Sequence, residues 1–135
     1  MGKKNTNNIN WYNDSKSTNT ASTMAALEYV DKNIILILGG AKKNMDYRML
    51  SNLINEKVKL VIFFGENKDY IKQQLDIKTN VIDVNSITEA VITSNNYASN
   101  KDSILFSPAS PSFDMFKNFE DRGNAFKDAV NNNVT

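Results

Sequence analysis

A chain of 135 residues, 41% hydrophobic and 23% charged, has the size and composition of one soluble globular domain. A formal charge of +1 supplies no basic face for nucleic acid or membrane, and the lack of cysteine and histidine excludes disulfides and thiolate metal sites and argues against zinc. No apolar run approaches the roughly 20 residues of a membrane span and the start is polar rather than signal-like, so a cytoplasmic monomer is expected.

Residues 1–8 are polar throughout and are expected to be a disordered tail, with the domain spanning 9–130 and a second tail at 131–135. Ile9–Tyr12 is a weak strand candidate. It leads into Asp14-Ser-Lys16-Ser-Thr18-Asn19, where an acid, a base and further polar side chains crowd together. Ser17 or Thr18 is the expected cap of a helix from Thr18 to Val30, whose Ala21, Met24, Ala25 and Leu27 share a face. Capping leaves Asp14 and Lys16 free for either solvent or function.

Asn33–Leu38 is a continuously apolar strand ending in Gly39-Gly40, followed by Lys42 and Lys43. After Asp46, the spacing of Met49, Leu50, Leu53 and Ile54 predicts a helix. Leu60–Phe64 is the next strand, closed by Gly65, and Tyr70, Ile71 and Leu75 mark a short helix. A strand at Asn80–Val84 precedes Ser86-Ile-Thr-Glu89, a capping-box start for a helix carrying Ile87, Ala90, Val91 and Ile92. Ser103–Phe106 is the last strand. Ser107-Pro-Ala-Ser-Pro-Ser112 then gives way to a helix predicted from Ser112, striped by Phe113, Phe116, Phe119, Phe126 and Val130. Lys117 and the Glu120–Arg122 cluster read as its solvated face, and Gly123 as a point of close packing. Arg48 and Arg122 are the only arginines, a scarcity that coding bias toward lysine and asparagine explains.

Short apolar strands alternating with helices predict an α/β fold: a Rossmann-like, open, mainly parallel sheet with helices on both faces. We expect the four strong strands in the order 3-2-1-4, which places a switch point between Asn33–Leu38 and Ser103–Phe106. Ligands of such sheets bind outside the strand carboxyl ends at that point. The loops there, Gly39–Asn44 and Ser107–Ser112, combine glycines, lysines and a helix start, which suits an anion. Neither G-x-x-x-x-G-K-[ST] nor G-x-G-x-x-G occurs, so the sequence carries no triphosphate cradle.

Three blocks resemble the C-terminal domain of the Mur ligases, in particular the branch that adds D-glutamate. They are Tyr12-Asn-Asp-Ser-Lys-Ser-Thr-Asn19, Leu36-Ile-Leu-Gly-Gly-Ala-Lys-Lys43 with Asp46, and Leu105-Phe-Ser-Pro-Ala-Ser-Pro-Ser-Phe-Asp-Met-Phe-Lys-Asn-Phe-Glu-Asp-Arg-Gly123. The resemblance implies one domain of an ATP- and Mg²⁺-dependent ligase that joins D-glutamate to UDP-N-acetylmuramoyl-L-alanine in peptidoglycan precursor synthesis. It implies that N-terminal and central domains, absent from this sequence, hold the UDP-sugar and the nucleotide. By resemblance, Lys43, Thr18 and Ser112 bind D-glutamate carboxylates together with the backbone N–H groups of Phe113 and Phe119. Asp14 would meet the nucleotide ribose and Lys16 the transferred phosphate, as the one catalytic residue. No metal ligand is expected in this sequence, and the domain alone should bind no cofactor and turn nothing over. Departures from the family pattern fall at Lys42, Asn44, Met45, Ser110 (usually cysteine) and Pro111. The alternative expectation is a free-standing or degenerate small-ligand-binding module without catalytic activity.

Overall fold

The computed structural model describes residues 1–134. Its strands are β1 (Gly2–Thr6), β2 (Ile9–Asn13), β3 (Ile34–Leu38), β4 (Val58–Phe63), β5 (Asn80–Asp83) and β6 (Ser103–Phe106). They form one sheet in the order β1-β2-β6-β3-β4-β5, parallel except for the β1–β2 pair. The fold class is as expected, and so is the order of the four strong strands. The chain leaves β3 toward β4, yet β6 returns to the other side of β3. The switch point therefore lies between β3 and β6.

Alternation along the strands feeds two cores. Ile35, Ile37, Leu60, Ile62, Ile104 and Phe106 point to one face, where α4 (Ile87–Tyr97) and α5 (Phe119–Asn133) cover them. Ile34, Leu36, Leu38, Val61, Phe63 and Leu105 point to the other, beneath α1 (Thr20–Tyr29), α2 (Ser51–Lys57) and α3 (Lys68–Gln74). Both faces of β3 are fully buried, which is why its five residues are all Ile or Leu.

Both expected tails need correction. Gly2–Thr6 is the antiparallel edge strand β1, joined to β2 through Asn7 and Asn8, whose φ values of 54° and 63° suit a two-residue hairpin turn. Its polar residues are at home on an edge: Lys4 donates to Asn131 Oδ1 at 2.7 Å, and Lys3 lies over the Tyr12 ring. At the other end, Asn131–Asn133 continue α5 and Val134 is buried, while Thr135 lies outside the described residues.

The last helix also starts later than the sequence predicts. Its N-cap is Asn118, whose side chain accepts the Asp121 N–H at 2.8 Å. Ser112 instead begins a separate turn, its carbonyl accepting from the Met115 and Phe116 N–H groups. The Asp114 carboxylate accepts the Glu66 N–H, tying this segment to the loop after β4 instead of to the helix axis. The phenylalanine stripe is split as a result. Phe126 stacks on Phe106 at 4.5 Å, whereas Phe113 is 75% and Phe119 41% exposed. In α1 the cap is Asn19, accepting from Ser22, one residue beyond Thr18 and two beyond Ser17, the expected caps. Ser86 caps α4 as expected by accepting the Glu89 N–H, but Glu89 reaches back to Asn85 and not to Ser86 itself.

Candidate functional site

Four loops meet at the carboxyl edge of the parallel strands, and glycine makes their contact possible. Gly39 has φ +128°, and a Cβ there would lie 1.8 Å from the Phe64 carbonyl oxygen. A Cβ on Gly40 would fall 2.4 Å from the Pro111 oxygen, so the β3 loop is pressed between the loops of β4 and β6. Backbone bonds lock this arrangement: Gly39 N–H donates to the Pro108 carbonyl and Ala41 N–H to that of Pro111. Between those anchors the buried Ala109 is held at φ 56°.

A polar knot sits under the same loops. Asn67, 1% exposed, accepts the Gly40 N–H at 2.8 Å and donates to Ser110 Oγ at 2.8 Å and to the Tyr47 hydroxyl at 3.3 Å. The Tyr47 and Ser110 hydroxyls are 3.2 Å apart, and burial pushes the Tyr47 phenol up from its ordinary value. Ser110, where the resembled family usually has cysteine, is thus a hydrogen-bonding partner that a thiol would replace only weakly.

Asp14 is buried on the β2 loop, where its Oδ2 accepts from the Ser17 and Ser107 hydroxyls. Ser107 in turn lies 2.9 Å from the Thr23 hydroxyl of α1. The Asp14 carboxylate therefore clasps the β2 and β6 loops together. Lys16 projects as an exposed side chain beside it, and Thr18 is half-buried at the approach to α1. Lys42 and Lys43 are both exposed, with the Lys42 N–H held by the Glu66 carboxylate at 3.0 Å. Neither the Lys16 nor the Lys43 ammonium forms an ion pair among the described residues. Ser112 is 2% exposed, and Phe119 opens α5, where a helix leaves N–H groups without intrahelical acceptors.

The sequence-derived residues thus share one edge: Asp14, Lys16 and Thr18 on the β2 loop, Lys43 on the β3 loop, Ser112, Phe113 and Phe119 after β6. An open hollow of about 430 Å³, lined by Asn44, Met45, Asp46, Arg48, Tyr70 and Gln74, adjoins the lysine loop, with Arg48 paired to Asp46 at 2.8 Å. A cavity of about 300 Å³ between β1 and α5, walled by Trp11, Phe126 and Lys127, is remote from that loop. The residues fit an anionic small molecule. They offer no triphosphate cradle, and no cluster of metal-ligating side chains occurs among the described residues.

Arg122 is the residue at these loops that sequence reasoning misplaces. It is fully buried rather than on a solvated face. Its Nε donates to Ser15 Oγ at 3.0 Å, one terminal nitrogen to the Ser15 carbonyl at 2.6 Å, and the other to the Ser110 carbonyl at 2.8 Å. Burial lowers its pKa to about 10, with the Asp114 charge opposing, so it stays charged at neutral pH. Its one sequence signal is its scarcity, two arginines among 16 basic residues, at a place where lysine could not span three acceptors. Asn67 and Tyr47 carry no comparable signal. Gly123 does mark close packing: a Cβ there would meet Ser15 Cβ at 3.2 Å, and its carbonyl accepts from Asn13.

Residues 1–110 match the family described as the Mur ligase glutamate ligase domain. A UDP-N-acetylmuramoylalanine–D-glutamate ligase of Pelodictyon phaeoclathratiforme is 42% identical over 92% of this chain and 27% of its own length. Ligases of the same name are 45% identical in Chlorobium chlorochromatii, over 90% of this chain and 26% of the relative, and 41% identical in Aquifex aeolicus, over 93% and 31%. Among solved structures, a murein peptide ligase from Psychrobacter arcticus shares the fold with a TM-score of 0.55 at 13% identity, covering all of this chain and 30% of that one. The chain thus spans between a quarter and a third of the curated relatives it matches. With the match running over most of its length, this chain is a member of the Mur ligase family, as a glutamate ligase domain.

Proposed function

We propose that this chain is the amino-acid-binding domain of an ATP-dependent ligase that adds D-glutamate to UDP-N-acetylmuramoyl-L-alanine in the cytoplasm. The observation that carries this reading is an exposed lysine loop beside a buried serine loop at the switch point, in a domain above 40% identical to ligases of that name. ATP, held with Mg²⁺ by a central domain, would activate the alanyl carboxylate as an acyl phosphate, and the D-glutamate amine would displace phosphate from it. This chain's share is to bind and orient the nucleophile. Lys43 and Thr18 would hold one end of D-glutamate. Ser112 and the N–H groups of Phe113 and Phe119 would hold the other, with the anion-binding helix start at Phe119. Lys16 would lie toward the transferred phosphate, and Asp14, while clasping two loops, would face the ribose. Holding an amine in line with an acyl phosphate removes orientational entropy from the barrier.

Lys43 and Lys42 discriminate the reading. In a complete ligase carrying this domain, Lys43→Ala should raise the KM for D-glutamate about 10–100-fold, as expected for losing a charge-assisted hydrogen bond worth roughly 1.5–3 kcal/mol. Lys42→Ala should change it little. Steady-state kinetics showing equal losses would put the pocket elsewhere.

A further inference from the structure

The proposed site has two halves, one around Lys16 and one around Ser112 and Phe119, carried on loops from different strands. Ser15 stands between them. It is 5% exposed, follows Asp14 and precedes Lys16, and its hydroxyl donates to the Phe119 carbonyl at 2.7 Å. The same hydroxyl accepts from Arg122 Nε, and the Ser15 carbonyl accepts from a terminal nitrogen of Arg122. The other terminal nitrogen grips Ser110, two residues before Ser112. Gly40 of the lysine loop is pressed on that nitrogen, since a Cβ there would lie 3.2 Å from it.

All three hydrogen-bonding partners of the guanidinium are neutral, and no carboxylate pairs with it at bonding distance among the described residues. For stability alone a buried, unpaired cation is a poor choice against an apolar side chain of similar volume. What arginine supplies is a rigid planar fork of donors, which fixes distances among its acceptors. Here those acceptors belong to the two half-sites.

We propose that Ser15 and Arg122 are a pair of positioning residues that set the separation of the Lys16 half-site from the D-glutamate half-site at Ser112 and Phe119. The pair rests on the D-glutamate reading given above. Neither side chain is assigned to the ligand. Both act through the residues they hold.

The test uses the ¹⁵N-labelled 135-residue protein titrated with D-glutamate and followed by amide shifts. Ser15→Ala should weaken D-glutamate binding about tenfold, the equivalent of about 1.4 kcal/mol. Arg122→Lys keeps the charge but not the fork, and should weaken it at least as much. Adding D-glutamate to the unmutated protein should also move the Lys16 amide, and in Arg122→Lys it should not. Lys59→Met, which breaks the Lys59–Asp102 pair at the opposite edge of the sheet, is the control for lost stability. It should lower Tm without changing the Kd. Unchanged affinity in Ser15→Ala and Arg122→Lys, or an equal loss in Lys59→Met, overturns the pair while leaving the D-glutamate reading intact. An unmutated protein that shows no D-glutamate shifts overturns both.

Discussion

Asp114, half-buried, and Arg122, fully buried, are two of the charges that folding draws inward at the strand ends, and burial disfavours the charged form of each. Burial raises the Asp114 carboxyl above its ordinary 3.8, with the bond from the Glu66 N–H opposing the shift. A carboxyl whose folded pKa is raised holds its proton more tightly in the folded chain, so its ionisation costs stability. That cost grows as pH rises above 3.8 toward the folded value and is complete beyond it. Asp114→Asn keeps an oxygen for the Glu66 N–H and removes the charge. It should therefore raise Tm at pH 7, by an amount that narrows as pH falls toward about 4. Thermal melts with equal Tm at neutral pH would show that the buried charge costs nothing. Single residues are the hardest scale to read from sequence. Asp14, Lys16, Lys43 and Ser112 stand at strand ends and turns, which are local signals, whereas Thr18, Phe113 and Phe119 are singled out as site residues by the family resemblance alone. The partners of Arg122 and Asn67 come from distant loops, and no local pattern encodes them.

At the scale of elements, the segment 107–119 separates what local pattern can and cannot tell. Proline, serine and a following aromatic run predict a helix from Ser112, yet the helix waits for Asn118, which has extended backbone (φ −158°, ψ 177°) and a side chain on the Asp121 N–H. Asn118→Ala should cost about 1 kcal/mol and lower Tm by roughly 3–5 °C. Ser112→Ala should leave the helical circular dichroism unchanged, and a larger loss from Ser112 than from Asn118 would restore the earlier start. β3, β4 and β6 are legible because burial on both faces demands runs of Ile, Leu, Val and Phe, as in Ile34–Leu38, whereas β5 is a largely exposed edge strand that shows only its short β-branched pair Val81-Ile82 between turn residues. β1 is not legible, because an edge strand exposed along its length has no apolar alternation to show, and only the geometry at Asn7 and Asn8 gives it away. Ser86 is legible because its cap is closed within three residues.

At the scale of the whole molecule, what is proposed for this chain, Lys16 apart, is binding and positioning, and the proposed chemistry needs what its sequence lacks. Phosphoryl transfer depends on a cradled triphosphate and its metal, and this sequence has no loop for either. The 135-residue protein alone should release no phosphate above background when given Mg-ATP, D-glutamate and UDP-N-acetylmuramoyl-L-alanine; measurable turnover would mean that its loops do more than orient. β6 lies between β2 and β3, so Asn10 pairs with Ser103 across most of the sequence. Joining segments so far apart costs conformational entropy before any contact repays it, and such topologies fold slowly. On the ribosome, the β1–β2 hairpin and the β3–β4–β5 ribbon must wait, each with an open strand edge, until residues 103–106 emerge. The last strand made is thus the one that joins the two pieces of the sheet, and until then the nascent polypeptide presents two further edges, on β2 and β3, on which a neighbouring copy could pair.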